Sequence, residues 1–383
     1  MKIIYCILGT FNSGGMERVL ANKANYLVMH GHEVSIITTD QQGRSSYFSL
    51  DAAISLYDLD INYTKNGLLG LLTKSMQYFQ KQKQHKRRLS KLLKELKADI
   101  VISMFDHDTS FLYKINDGSK KVLEIHFSRF KRLQYGRKGL WRLIDIIRNR
   151  QDLSIVKQYD RFVVLTEEDK GYWGNLNNMI VIPNANSFVP ERQAALDNKR
   201  VIAVGRYDYQ KGFDELITIW REVYKKQPDW KLDIFGHGPM EDQLLSQIRQ
   251  LRLENVVRLC PPVKDIGKEY CQSSFLVMTS RYEGLPMVLL EAQAYGLPLV
   301  AYACKCGPAD LIQNDRNGFL VEEGDRETMV IRITELIESE NLRIEMGMNA
   351  KKMSENFSEE NVMQQWLDLF KYVVNENNRR FGR

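Results

Sequence analysis

The sequence predicts an α/β protein built from two doubly wound, Rossmann-like domains that face a cleft. Three observations carry that prediction. At 383 residues the chain is longer than a single core usually supports. Short apolar runs alternate with amphipathic helical patterns, as in parallel sheets covered by helices on both faces. The alternation stops at VIPNAN, residues 181–186, where Pro183 and two asparagines precede a polar stretch to Arg200, and it then restarts.

The first half opens on KIIYCIL, a glycine turn, the helical MERVLANKANYLVMHG and a second strand EVSIITTD, with Gly31 as the helix stop. Further strands are expected at DIVISMF (99–105), KVLEIHF (121–127) and RFVVLT (161–166). In the second half VIAVGRY, KLDIFGH, VVRLCPPV, SSFLVMTS and LPLVAYA read as strands, separated by helices such as FDELITIWREVYKK and MEDQLLSQIRQLR. The expected domains are residues 1–184 and 185–360. Residues 361–383 hold a final helix that could pack on either domain, the first included.

Composition narrows the class. A hydrophobic fraction of 44% fits a fully folded globular chain. Five cysteines are an odd set that suits a reducing cytosol better than a disulfide framework, and Cys304 and Cys306 lack a second pair at zinc-finger spacing. The apolar opening ends at Thr10–Asn12, too soon for a signal peptide or a membrane span, so a cytoplasmic protein is expected.

The net charge of +6 is concentrated in KQKQHKRRLSKLLKELK (81–97) and between Lys120 and Arg150. No aromatic residues interleave the first run, which argues against a nucleic-acid platform. Leu89, Leu92, Leu93 and Leu96 fall at helical spacing, giving a basic amphipathic helix. Such a helix is either a solvated surface element or a contact with an anionic membrane.

Open α/β sheets bind ligands beyond the carboxyl ends of their strands. After the first strand, Gly14 and Gly15 allow a tight turn into a helix whose N–H groups could meet an oxyanion or a sugar, although a bare strand-to-helix turn has the same look. Neither this loop nor FGHGPMED, with Glu241 at the third glycine position, completes a dinucleotide fingerprint. In AVGRYDYQKGFDEL, Arg206 leaves a strand and Lys211 precedes Gly212 at a helix entry, a guanidinium and an ammonium suited to a diphosphate.

The stretch SRYEGLPMVLLEAQAYGLPLV (280–300) places Glu283 ahead of a helix expected from Pro286 to Tyr295, with Glu291 inside it and Gly296 as its stop. Eight helical steps rise about 12 Å. That is too long for a glycosidase pair, whose carboxyl groups sit about 5 to 9.5 Å apart. It suits an extended ligand gripped at two points, such as a nucleotide sugar with its diphosphate on the N–H groups of Met287 and Val288. Leu289, Leu290 and Ala292 surround Glu291 with apolar neighbours, so that carboxylate needs a partner.

GGMERV, GRYDYQKG, FGHGP, YEGLPMVLLEA, GPADLI and NGFLV together resemble the retaining glycosyltransferases of family 4, in that family's order and over nearly the whole chain. The resemblance implies the GT-B fold, with an acceptor-binding first domain and a nucleotide-sugar-binding second domain. It implies that Arg206 and Lys211 stabilise the departing diphosphate, that Glu283 contacts the donor sugar, that Glu291 holds the ribose, and that His126 stands beside the transferred sugar. The donor-binding set it implies is Gly15, Gly205, Arg206, Lys211, Gly236, Pro262, Glu283, Gly284, Leu285, Met287, Val288 and Glu291. The expected substrate pair is a UDP-linked hexose or N-acetylhexosamine and a lipid-linked glycan or glycolipid of surface polysaccharide assembly. The expected setting is the inner face of the membrane, with no metal, other cofactor or nucleic-acid partner. Two Asp-x-Asp pairs, Asp58 with Asp60 and Asp106 with Asp108, lie away from the diphosphate groups and read as chance. The rival readings are a sugar-nucleotide epimerase and a non-catalytic sugar-nucleotide-binding protein.

Overall fold

The computed structural model describes residues 1–66, 71–130, 139–186 and 189–380. It divides into two compact units, one of Met1–Leu165, Lys170–Ile182 and Met363–Arg383, the other of Thr166–Asp169 and Pro183–Val362.

The first unit is a seven-stranded parallel sheet in the order β3-β2-β1-β4-β5-β6-β7. Its strands are β1 (Lys2–Ile7), β2 (Glu33–Thr38), β3 (Ser55–Asp58), β4 (Ile100–Ser103), β5 (Lys120–Glu124), β6 (Arg161–Val164) and β7 (Met179–Val181). The helices of this part of the chain are α1 (Gly15–Met29), α2 (Leu71–Leu96), α3 (Leu140–Val156) and α4 (Glu167–Trp173), whose residues up to Asp169 belong to the second unit. β1 pairs with β2 on one side and with β4 on the other, Ile3 opposite Val34 and Ile100. The strand order therefore reverses between β1 and β4, and the loops after these two strands part to leave a crevice.

Two strands of this sheet escaped the sequence pattern. β3 is an exposed edge strand of mixed polarity, and β7, although its MIV is apolar, is only three residues long and runs directly into the Pro183 segment that reads as a boundary. The leucines of α2 are core: Leu89 and Leu93 are fully buried, and Leu92 and Leu96 pack against the same cluster. That face is thus spent on folding, and any membrane contact must use other residues.

The second unit is a six-stranded parallel sheet in the order β10-β9-β8-β11-β12-β13. It comprises β8 (Arg200–Val204), β9 (Lys231–Phe235), β10 (Val257–Cys260), β11 (Phe275–Met278), β12 (Leu299–Tyr302) and β13 (Gly318–Val321). β13 is an addition to the five expected strands. Here the order reverses between β8 and β11, Val201 facing Phe275. The helices of this part of the chain are α5 (Phe213–Lys226), α6 (Glu241–Gln250), α7 (Ile266–Cys271), α8 (Met287–Ala294), α9 (Pro308–Leu311), α10 (Arg326–Glu338) and α11 (Glu340–Ser354), followed by α12 (Glu359–Arg380). Trp220, Ile217 and Leu216 of α5 fill the core between sheet and helices.

From Met363 onward α12 belongs to the first unit, burying Met363, Trp366, Phe370 and Val373 at helical spacing.

Candidate active site

The switch point of the second unit gathers the charged residues that the sequence had marked. β8 ends at Val204 and is followed by Gly205, Arg206 and a turn in which the Asp208 side chain accepts from the Lys211 N–H. Gly212, in the left-handed region at φ 64°, redirects the chain into α5. A Cβ on Gly205 would lie 3.0–3.1 Å from the stem carbons of Lys211, so that stem runs along the glycine. Its ammonium reaches Glu283 Oε1 at 2.7 Å, from the loop after β11, and Gln210 Nε2 donates to the Tyr282 carbonyl at 2.9 Å. Lys211 and Glu283 thus join the two loops on either side of the reversal, both mostly buried.

Arg206 behaves differently. Its side chain is 72% exposed and lies 3.1 Å from Asp208. Other cations nearby are more deeply engaged: Arg281 bonds Asp214 at 2.8 Å, and Arg326 grips Glu215 through two bonds of 2.6 Å. The latter groups, with Thr279 and Tyr302, line a cavity of about 620 Å³.

Glycines shape the neighbouring strand ends. A Cβ on Gly236 would lie 1.8 Å from the Gly205 carbonyl oxygen, a contact no side chain survives. Gly205 N–H donates to Phe235 and Gly236 N–H to Cys260, so the ends of β8, β9 and β10 stay bonded past the strands. Beneath them the Tyr207 hydroxyl donates to the carbonyls of Ile234 and Cys260. Pro262 lies exposed just beyond β10.

Glu283 is anchored through its own N–H to the Lys305 carbonyl at 3.2 Å. Gly284 and Leu285 follow, with Gly307 packed so closely that a Cβ there would meet Pro286 at 2.4 Å. Pro286 is the N-cap of α8 rather than its first helical residue, and no side chain caps the helix. Met287 and Val288 open it, so their N–H groups are the ones a helix start leaves without an intrahelical acceptor. Glu291 is buried, as its apolar neighbours require, and accepts from the Tyr270 hydroxyl at 3.0 Å. Because the chain from Ser280 to Pro286 is not helical, the twelve-ångström helical rise between the two glutamates does not apply. The second Gly-Leu-Pro closes α8 through Gly296 at φ 74° and leads into β12.

Gly15 and His126 belong to the first unit. Gly15 is the exposed first residue of α1, after an N-cap at Gly14 with no side-chain cap. Glu17 folds back over Gly14, taking a hydrogen bond from Asn12 at 3.2 Å, and burial raises its pKa. His126 follows β5 with its Nε2 3.1 Å from Glu124 Oε1. The two atoms are in close contact without the alignment of a linear hydrogen bond. Sequence reasoning missed Glu124, Lys23, Gln210 and Tyr270. Only Glu124 left a signal, standing two residues before His126 and hence on the same face of an extended strand.

The Asp-x-Asp pairs prove unlike one another. Asp58 caps its loop, accepting from the Gln42 N–H at 2.9 Å and the Thr38 hydroxyl at 3.3 Å. Asp106 and Asp108 lie in the crevice after β4, where burial, then the charge of Asp106, raises Asp108 to about 7.

Two family models cover the chain in succession: Glycosyltransferase Family 4 over residues 13–185 and Glycosyl transferases group 1 over residues 186–353. The amylovoran biosynthesis glycosyltransferase AmsD of Erwinia amylovora is 30% identical over 379 residues, covering 96% of this chain and 99% of that protein. The chain belongs to the group 1 glycosyl transferases. Among its relatives, the GalNAc-α-(1→4)-GalNAc-α-(1→3)-diNAcBac-PP-undecaprenol α-1,4-N-acetyl-D-galactosaminyltransferase of Campylobacter jejuni is 26% identical over 380 residues, 98% of this chain and 99% of that one. The solved structure of a Staphylococcus aureus TarM mutant, in complex with fondaparinux, α-GlcNAc-glycerol and UDP, superposes with a TM-score of 0.77 at 19% identity, covering 96% of this chain and 99% of that chain. The glycosyltransferase described above thus has the GT-B fold, two parallel-stranded Rossmann-like sheets covered by helices.

Proposed function

We propose that this glycosyltransferase moves a hexose or N-acetylhexosamine from a UDP-sugar to a lipid-linked glycan or glycolipid, with retention of configuration and without a metal. The observation that carries the reading is the Lys211–Glu283 pair across the switch point, beside the uncapped start of α8. Departure of the nucleoside diphosphate builds negative charge, which Lys211, the exposed Arg206 and the N–H groups of Met287 and Val288 stabilise in place of a metal ion. Glu283 accepts hydroxyl hydrogen bonds from the transferred sugar, and Glu291, oriented by Tyr270, accepts them from the ribose. His126 stands beside the transferred sugar. UDP in the TarM structure and the undecaprenol-linked substrate of the Campylobacter relative support the choice of substrates.

The same reading places the enzyme at an anionic membrane. Exposed apolar side chains support this, Met76 and Phe79 on α2 and Leu143 and Ile147 on α3, each pair at helical spacing beside exposed basic residues such as Lys83, Arg87, Arg142 and Arg148. The test is a panel of UDP-, GDP- and ADP-sugars screened for binding, then for nucleoside diphosphate release with lipid-linked acceptors in the presence of EDTA. Lys211→Ala is expected to lower kcat on the order of 10²–10³-fold with the fold intact. Full activity of that variant, or release that requires a divalent ion, sinks the mechanism.

A further inference from the structure

The first unit contains a buried ion pair, Lys23 with Glu124, that the reaction above does not use. Lys23, on α1, places its ammonium 2.7 and 2.6 Å from the two oxygens of Glu124. Side-chain exposures of 4% and 1% leave this pair no access to solvent. Trp366 of α12 lies flat over the ammonium, 3.6 Å from ring centroid to Nζ, and the Tyr5 ring approaches it at 5.5 Å. A carboxylate has about four lone-pair directions, so one that already holds an ammonium with both oxygens can still accept from another donor. The group at hand is His126, whose Nε2 is 3.1 Å from Oε1.

A buried ion pair rarely repays its desolvation, and an apolar pair would fill the same space at no greater cost. A role beyond stability is therefore worth seeking, and His126 beside the pair supplies one. We propose that Glu124 is a positioning residue for His126, its negative charge 3.1 Å from Nε2 favouring the ring proton on that nitrogen over Nδ1, and that Lys23 under Trp366 holds Glu124 in place. The inference rests on the role given to His126 above. Its consequence is that the C-terminal helix is part of the catalytic framework: α12 roofs the ammonium that holds the carboxylate that favours one tautomer of the imidazole. Nδ1 is then left as the nitrogen that can accept from a sugar hydroxyl.

Ring-¹⁵N NMR of the full chain labelled on its six histidines reads this directly, with His126 assigned through His126→Gln. In the native protein the His126 proton is expected on Nε2. In Lys23→Leu/Glu124→Leu, which removes both charges together and so spares the fold, the proton is expected to redistribute between the two nitrogens. Lys23→Met/Glu124→Gln, which leaves no lone buried charge but removes the carboxylate charge, is expected to resemble the leucine pair, and native ring signals there overturn the part given to that charge. Trp366→Leu is expected to shift the same signals in the direction of the leucine pair. Native ring signals in the leucine pair, with native circular dichroism, overturn the positioning role. Native signals in Trp366→Leu overturn the part given to α12.

With whichever nucleotide sugar the panel shows to be turned over, the leucine pair is expected to lose kcat on the order of 10- to 100-fold while donor KM moves less than about threefold. Altered ring signals with unchanged kcat overturn the catalytic significance of the pair. The NMR result stands whether or not a donor has been found, so failure of the donor reading and failure of this inference are separable.

Discussion

Removing one charge of the Lys23–Glu124 pair should cost far more than removing both. Burial pushes the Glu124 carboxyl up, but the Lys23 ammonium, and after it the His126 ring, outweigh that and hold it at about 2 against an ordinary 4.5. A depression of that size corresponds to about 3 kcal/mol in favour of the folded state at neutral pH. Because the folded value is depressed, this contribution is present above about pH 4.5 and is lost as pH falls toward 2. Lys23 points the other way, its pKa lowered because burial outweighs the attraction of Glu124. The desolvation of the ammonium therefore offsets much of what Glu124 gains, and the net worth of the pair is smaller than the carboxylate alone suggests. Glu124→Leu leaves a buried ammonium with no counter-charge at a cost of about 3–5 kcal/mol. At about 2–4 °C per kcal/mol for a unit of 150–250 residues, the melting temperature of the first unit should fall by about 6–20 °C. Lys23→Leu/Glu124→Leu should melt within a few degrees of the native protein or above it. Calorimetry of the two variants decides the matter. A single variant as stable as the double would refute the account of a costly pair held together by mutual neutralisation.

Three further outcomes follow from other features. Asp108 is raised to about 7, so its burial as a carboxylate opposes folding as pH rises from near 4 through 7; Asp108→Asn should raise the melting temperature near pH 8 and flatten its fall across that range, and an unchanged pH profile contradicts the assignment. Gly236→Ala meets the Gly205 carbonyl and should destabilise the second unit by about 1–3 kcal/mol or more, measured by urea denaturation, with donor binding lost alongside. Binding to anionic vesicles should weaken steeply with salt and fall further in Met76→Ser/Phe79→Ser, whereas salt-independent sedimentation would remove the membrane from the scheme.

The sheet architecture was legible wherever strands are central, because buried parallel strands read as continuous apolar runs. The edge strand Ser55–Asp58 does not, and the apolar Met179–Val181 stayed hidden because its three residues lead straight into the Pro183 segment, which reads as a boundary. The leucine stripe of α2 was visible, but its partner was not: a helix apolar on one face presents the same pattern to a core and to a membrane, and only its packing against Leu112 and Phe111 separates them. Glu291 shows the opposite case. Its apolar neighbours on α8 foretold burial and the need for a partner, while Tyr270, on another helix, could not be named from the pattern.

The sequence by itself determined the family, the two-sheet architecture and the loops in which chemistry had to be sought, since these depend on local periodicity and on motifs contiguous in the chain. Tertiary structure decided which charges meet. Lys211 finds Glu283, 72 residues away, and Lys23 finds Glu124, 101 residues away. No local pattern encodes such pairs, because a buried carboxylate is stabilised by whichever cation the fold brings within hydrogen-bonding distance, and that is set by strand order.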